Sequence, residues 1–129
     1  MGPALQKWVQ YFNAYDKHLA RFRGQNVTVV EVGVQSGGSI PMWQWYFGDG
    51  LHYVGIDINP LAKQFEGPNV DIVIGDAGSK GFWTDVKRAY PTVHVMIDDG
   101  GHTMSQQLTC LENMLDHVAE DGVFLIEVG

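Results

Sequence analysis

The sequence predicts an α/β protein: a Rossmann-like, mostly parallel sheet of about five strands in the order 3-2-1-4-5, with helices on both faces. Short apolar runs rich in β-branched residues alternate with helical patterns along the chain. A glycine-containing loop follows the first run and leads into a predicted helix, as in doubly wound folds. Acidic residues end the runs, and right-handed crossovers bring those ends to one edge of a parallel sheet.

The N-terminal segment, residues 1–24, is predicted to be an amphipathic helix that joins the core, residues 27–129, in a single domain over residues 1–129. Pro3 suits the first turn of this helix, and Gly24 suits its C-terminal end. Packing against the core is the favoured role of its apolar stripe, and lining a substrate pocket is the alternative. The stripe consists of Leu5, Trp8, Val9, Phe12, Tyr15, Leu19 and Phe22.

The elements of the core alternate regularly between strands and helices. Turn residues such as Gly-Asp-Gly, Asn-Pro and Gly-Pro-Asn separate the periodic segments. The predicted strands are 27–30 running into Glu31, 51–57, 70–74, 93–98 and 123–127. The predicted helices are 41–47, a short helix 60–65, 81–90 with Phe82, Val86 and Ala89 on one side, and a last helix from Met104.

The last helix is predicted to begin with a capping box formed by Thr103 and Gln106. The segment 120–122, Glu-Asp-Gly, is predicted to turn the chain into the final strand. The predicted buried face of the last helix comprises Met104, Leu108, Leu111, Leu115 and Val118.

Composition narrows the classes of function. The net charge of −7 argues against general nucleic-acid binding, which needs a basic surface. Cys110 is the only cysteine, so no disulfide can form within the chain, and its apolar helical context predicts a buried packing residue. Without a long apolar span or a signal-peptide profile, the chain is expected to be soluble and cytoplasmic, with no membrane partner.

Acidic side chains mark the predicted ligand edge of the sheet. Open α/β sheets bind ligands outside the carboxyl ends of their strands, and here an acid stands at or just beyond every such end. These residues are Glu31, Asp57, Asp76, Asp98 and Glu127.

The glycine loop does not suit a nicotinamide dinucleotide. Gly33 is followed by Val-Gln-Ser before Gly37, so the middle glycine of Gly-x-Gly-x-x-Gly is absent. There is also no Gly-Lys-Ser or Gly-Lys-Thr, and therefore no P-loop. A dehydrogenase or epimerase with such a cofactor is the weakest alternative.

The pattern Glu31-x-Gly33-x-x-x-Gly37 resembles motif I of class I S-adenosylmethionine-dependent methyltransferases. In this resemblance the glycines admit the methionine and ribose portion, and the acids accept hydrogen bonds from ammonium and hydroxyl groups. Asp57 is then placed to hold both ribose hydroxyls, and Asp76 to lie near the adenine. The implied cofactor-binding residues are Glu31, Gly33, Gly37, Ser39, Asp57, Asp76 and Asp98.

The segment 97–102, Ile-Asp-Asp-Gly-Gly-His, followed by a helix and the strand that ends at Glu127, resembles one branch of that superfamily. This branch includes macrolide-sugar O-methyltransferases and cephalosporin-hydroxylase-like proteins, and its signature is Asp-Asp-Gly-Ser-His, with Gly101 here in place of serine. The resemblance implies O-methylation of a small hydroxylated molecule. It implies catalytic roles for Asp99 and His102, Asp99 and Glu127 as ligands of Mg²⁺, and His102 as general base.

The pattern departs from the branch at its end. Val128 stands where the branch has a third metal-binding aspartate, and the last strands of the full methyltransferase fold do not follow. We expect an incomplete sequence, a naturally shortened domain, or a partner chain that covers the exposed edge, with a homo-oligomer as one form of the last. The corresponding functional alternative is a non-catalytic remnant that binds the cofactor or a partner.

Overall fold

The computed structural model describes residues 16–34, 37–99 and 103–127. Five strands form one sheet in the order β3-β2-β1-β4-β5, and each neighbouring pair is parallel. The predicted strand order and direction are confirmed. The strands are β1 (Val27–Val32), β2 (Leu51–Asp57), β3 (Val70–Ile74), β4 (Val93–Asp99) and β5 (Val118–Glu127).

The helices fall between the strands as predicted. Helix α1 is described over residues 16–19 and leads into the 3-10 helix Ala20–Phe22, so most of the predicted helix 1–24 lies outside the described residues. Within the described ranges, no helix combines the length and apolar character that crossing a membrane requires. The other helices are α2 (Ser39–Phe47), a 3-10 helix (Pro60–Phe65), α3 (Lys80–Ala89) and α4 (Met104–Met114).

Two apolar cores lie on opposite faces of the sheet. The first core packs α2, through Trp43 and Phe47, against the sheet. The second packs Trp83 and Val86 of α3, together with α4, against the other face. Helices therefore cover both faces, as predicted. Ala89, predicted on the buried side of α3, is exposed, because Trp83 faces the sheet instead.

The prediction for the buried face of α4 is wrong for three of its five residues, whereas Leu111 and Val118 are half-buried. Met104, Leu108 and Leu115 are 76%, 50% and 53% exposed, whereas Cys110 and Met114 are fully buried. The apolar residues of α4 form two stripes, and the helix turns the stripe of Cys110 and Met114 toward the sheet. The predicted burial of Cys110 is confirmed.

The last strand begins earlier than predicted. Val118 belongs to β5 and not to a helix, and the predicted turn at 120–122 lies inside the strand. The register shifts between Val93 and Val95, opposite this segment. A Cβ at Gly122 would clash with the carbonyl oxygen of His94, so glycine here permits a close backbone approach.

Polar side chains connect strands and helices near the amino ends of the strands, opposite the carboxyl ends where the ligand site is predicted. Nε2 of His52 lies 2.9 Å from Oδ2 of Asp71, and the Tyr90 hydroxyl donates to the same oxygen at 2.9 Å. His117 contacts the Tyr90 carbonyl oxygen at 2.7 Å, and Nδ1 of His94 accepts a hydrogen bond from a backbone amide. These histidines therefore have structural roles.

The hydrogen bonds of Asp71 indicate that its contribution to the stability of the fold depends on pH. Burial raises the pKa of Asp71, but the hydrogen bonds from His52 and Tyr90 outweigh it and hold that pKa below its usual value. Ionised Asp71 therefore stabilises the fold above the unfolded-state pKa of about 3.9, and this contribution is lost as pH falls through the lower folded-state pKa. The free-energy difference between wild type and Asp71→Asn should shrink between pH 5 and acid pH in urea unfolding.

The matched control for this prediction is Asp85→Asn, since Asp85 is 79% exposed on α3. Its free-energy difference from wild type should stay small at every pH. A difference for Asp71→Asn that does not change over the same pH range would contradict the prediction.

Candidate functional site

The loop between β1 and α2 turns on glycines that no other residue replaces without strain. Gly33 has φ +96° and Gly37 has φ +75°, the left-handed region that favours glycine. A Cβ at Gly37 would lie 2.7 Å from the ring of Phe65. The Gly33 amide donates to the carbonyl oxygen of Ile56 at 2.8 Å, which holds the loop against β2. The N-terminus of α2 is thereby brought to the carboxyl ends of the central strands.

Glu31, at the end of β1, is a buried carboxylate surrounded by hydrogen-bond donors. It is 2% exposed. Its Oε1 accepts hydrogen bonds from the Ser39 hydroxyl and the Tyr53 hydroxyl, each at 2.6 Å, and its Oε2 accepts from Nε1 of Trp43 at 3.3 Å. One side chain thus joins β1, β2 and the first turn of α2, and places Ser39 beside the glycine loop.

Asp57 ends β2 beside that loop. Its Oδ1 accepts a hydrogen bond from the Asn59 amide at 2.9 Å, and the Asn59 side chain accepts one from the Leu61 amide at 3.0 Å. These bonds form the entry to the 3-10 helix Pro60–Phe65. The Asp57 carboxylate is therefore held at the strand end, half-buried, in the position that the sequence predicts for a ribose-binding acid.

Asp76 follows β3 in an exposed loop. Its Oδ1 accepts hydrogen bonds from the Gly78 amide at 2.8 Å and from Nε2 of Gln106 at 3.2 Å. These two donors, the Gly78 amide first, hold the pKa of Asp76 below its usual value. Beneath the loop, Nε1 of Trp83 donates to the Ala77 carbonyl oxygen at 2.8 Å. The loop therefore presents an ionised acceptor on a fixed backbone.

Asp98, also predicted to bind the cofactor, is 1% exposed and lies on the side of the second core. Burial, the charge of Asp98 and a hydrogen bond to it raise the pKa of the Cys110 thiol. Cys110 is therefore a protonated donor to Asp98 and not a nucleophile. The buried position assigns Asp98 first to packing between β4 and α4, and its contact with a cofactor stays a prediction.

The backbone brings the two predicted metal ligands together. Asp99 and Glu127 are paired residues of β4 and β5 at the carboxyl edge of the sheet. Carboxylate oxygens are donors that suit Mg²⁺. His102 and Val128 lie outside the described residues. Among the residues that the structure describes, no group of three or more His, Cys, Asp or Glu side chains is arranged to hold a metal ion.

Three residues of this site make contacts that the sequence does not predict. Tyr53 and Trp43 complete the contacts of Glu31, and Gln106 contacts Asp76. A tyrosine inside an otherwise apolar strand is a signal, because a buried hydroxyl needs a hydrogen-bond partner. Gln106 was expected only to cap α4, and nothing local in the sequence indicates its second contact.

The relatives that match this chain in sequence are O-methyltransferases. No protein-family model matches the chain. The chain is 34% identical over 124 residues to the 8-demethyl-8-α-L-rhamnosyl tetracenomycin-C 2'-O-methyltransferase of Streptomyces olivaceus, covering 91% of this chain and 32% of that protein. It is 32% identical over 120 residues to the demethylmacrocin O-methyltransferase of Streptomyces fradiae, covering 88% and 30%.

A solved structure with the same fold is that of the MycE methyltransferase from the mycinamycin biosynthetic pathway, in complex with Mg, S-adenosylhomocysteine and mycinamycin VI. It superposes with a TM-score of 0.85 at 28% identity, covering 91% of this chain and 32% of that chain. The chain therefore spans about a third of the length of the relatives that it matches.

Proposed function

We propose, from the homology of this chain to macrolide and sugar O-methyltransferases and from its S-adenosylmethionine-dependent methyltransferase fold, that it binds this cofactor for O-methylation of a small hydroxylated molecule. The observation that carries the proposal is the pair of positive φ angles at Gly33 and Gly37, between β1 and α2, with Asp57 at the end of the neighbouring strand β2. We propose a sugar hydroxyl as the acceptor, in line with the names of the relatives.

The acidic residues at this edge fit the cofactor in charge. Gly37 lacks the Cβ that would meet Phe65, so glycine at this position allows the Phe65 ring to lie against the loop. Asp57 is proposed to accept hydrogen bonds from the ribose hydroxyls, and Asp76 to accept one near the adenine. When bound, S-adenosylmethionine supplies an electrophilic methyl group. The Glu31 contacts hold the loop and Ser39 in place for the methionine portion.

The acceptor side of the proposed site uses the ends of β4 and β5. Asp99 and Glu127 are proposed to hold Mg²⁺, because they are paired in the sheet register and both offer oxygen donors. When bound, Mg²⁺ lowers the pKa of a hydroxyl group that it polarises. His102 is proposed as the general base that accepts the proton of the acceptor hydroxyl.

A second candidate is a domain that binds the cofactor without turnover. The observation in its favour is Val128, which stands where the branch has a third metal-binding aspartate. The cofactor side, from Glu31 to Asp76, does not depend on that position. In this case the chain would bind the cofactor without transferring its methyl group.

We also infer the setting and the partners. The only cysteine, Cys110, is buried, which suits the reducing cytoplasm. With a net charge of −7, the chain offers no basic excess for nucleic acid. Among the described strands β3 and β5 are the two edge strands of the sheet, and pairing of two copies through β5 is the proposed oligomer, which light scattering would detect.

Calorimetric titration of the full chain with S-adenosylhomocysteine tests the proposal. We expect one saturable site with an affinity in the micromolar range, and no comparable binding of NAD, since the loop lacks the middle glycine. Circular dichroism establishes that the sample is folded. A folded sample that shows no heat of binding at millimolar S-adenosylhomocysteine would reject the cofactor assignment.

Incubation with S-adenosylmethionine, Mg²⁺ and deoxysugar glycosides, followed by mass spectrometry, separates the two candidates. A methylated product that disappears in His102→Ala supports the methyltransferase. Saturable cofactor binding without any methylated product supports the non-catalytic domain.

A further inference from the structure

Gln106 lies between two loops of the candidate site. On one side, its Nε2 donates a hydrogen bond to Oδ1 of Asp76 at 3.2 Å. On the other, its Oε1 accepts one from the Thr103 amide at 3.0 Å. Asp76 follows β3, and Thr103 is the N-cap of α4, which follows β4. One amide group therefore bridges segments that are distant in the sequence.

The bonds determine the orientation of this amide. Its oxygen faces a backbone N–H, and its nitrogen faces a carboxylate, so exchanging the two atoms would break both bonds. The Gln106 backbone amide also donates to the Thr103 hydroxyl at 3.2 Å, which closes the capping box. The helix cap and the contact with Asp76 thus share one side chain.

Packing supports the same arrangement. A Cβ placed on Gly78 would lie 3.2 Å from Cγ of Gln106, so the loop after β3 fits closely against the side-chain stem. The Gly78 amide and Gln106 donate to the same oxygen of Asp76. The loop and the start of α4 can shift only together while these contacts persist.

We propose that Gln106 is a positioning residue that couples the cofactor-side loop at Asp76 to the N-terminus of α4. Thr103 directly follows His102, the proposed general base, in the sequence. The bridge itself is inferred from the contacts of Gln106. Its effect on cofactor binding and catalysis rests on the proposed function. Gln106 acts through Asp76 and Thr103 and is not assigned a contact with substrate.

Two substitutions separate the bridge from the helix cap. Gln106→Glu keeps an oxygen that can cap Thr103, because glutamate also serves in the capping box. It loses the donor to Asp76 and places a second carboxylate beside the first. Gln106→Leu loses both contacts at similar size. Asn113→Ala is the matched control, because it removes another side-chain bond of α4, to Thr109, away from the loops.

The unliganded protein gives the first readout. NMR titration should show a raised pKa of Asp76 in Gln106→Glu and Gln106→Leu, since both lose a donor and Glu adds a like charge. Hydrogen exchange of the Thr103 amide should be faster than in wild type in Gln106→Leu alone. Asn113→Ala should match wild type in both measurements. An unchanged Asp76 pKa in both Gln106 variants would overturn the bridge.

The liganded protein gives the second readout. S-adenosylhomocysteine should slow exchange of the Thr103 amide in wild type by about three- to tenfold and leave it unchanged in Gln106→Glu, whose cap is intact. Equal slowing in both proteins would overturn the coupling. Absence of ligand binding by wild type would instead count against the proposed function, and it is recognised separately because the first readout needs no ligand.

Discussion

Replacing Asp57 with asparagine is expected to weaken binding of S-adenosylhomocysteine about 10- to 100-fold. A hydrogen bond to a charged acceptor contributes about 1.5–3 kcal/mol, and asparagine can accept at only one of the two positions. Its remaining oxygen can still accept the Asn59 amide, which Asp57 now binds at 2.9 Å, so the turn into Pro60–Phe65 should persist. Calorimetry measures the change in Kd, and thermal unfolding verifies the fold.

The matched control is Asp71→Asn, which changes an acid at the opposite edge of the sheet. Its affinity for S-adenosylhomocysteine should equal that of wild type. Wild-type affinity in a folded Asp57→Asn protein would show that Asp57 does not hold the cofactor.

Replacing Glu31 with leucine is expected to reduce the free energy of unfolding by about 3–5 kcal/mol, because each side-chain donor left without its acceptor costs about 1–3 kcal/mol. Three side-chain donors lose their acceptor, namely Ser39, Tyr53 and Trp43. Because this group joins β1, β2 and α2, the substitution should also weaken cofactor binding. Urea unfolding at neutral pH measures the loss.

Single-donor variants calibrate this prediction. Tyr53→Phe and Ser39→Ala each remove one hydrogen bond to the carboxylate, and each should cost about 1–3 kcal/mol. If Glu31→Leu costs no more than Tyr53→Phe, the carboxylate does not organise the group, and the assignment of Glu31 as the shared acceptor is wrong.

The sheet could be predicted because the residues that favour each strand are contiguous in the sequence. Runs of β-branched residues such as Val27–Val32 form buried parallel strands, and their alternation with helices determines the parallel arrangement. Helix orientation was less predictable. The apolar stripe of Met104, Leu108 and Leu115 satisfies helical periodicity as well as Cys110 and Met114 do, and only the packed sheet decides between them.

The candidate site also has features that could be predicted from the sequence and features that could not. The acids at strand ends follow from the topology, so their presence at one edge could be predicted. The contacts that hold them join residues far apart in the chain: Glu31 and Tyr53 are separated by 22 positions, and Asp76 and Gln106 by 30. Such pairs arise from tertiary packing, for which a single sequence contains no local signal.

The central place of β1 in the sheet has a consequence for biosynthesis. β1 lies between β2 and β4, and the Thr28 amide bonds to a side chain 66 positions later. At about 5–20 residues per second, a ribosome needs several seconds to make the chain from β1 to β4. During that interval one side of β1 has no strand to pair with. Its unpaired backbone groups can then bind other chains, which leads to aggregation, or bind chaperones. Slowing translation between β1 and β4 should therefore lower the soluble yield more than slowing it before β1.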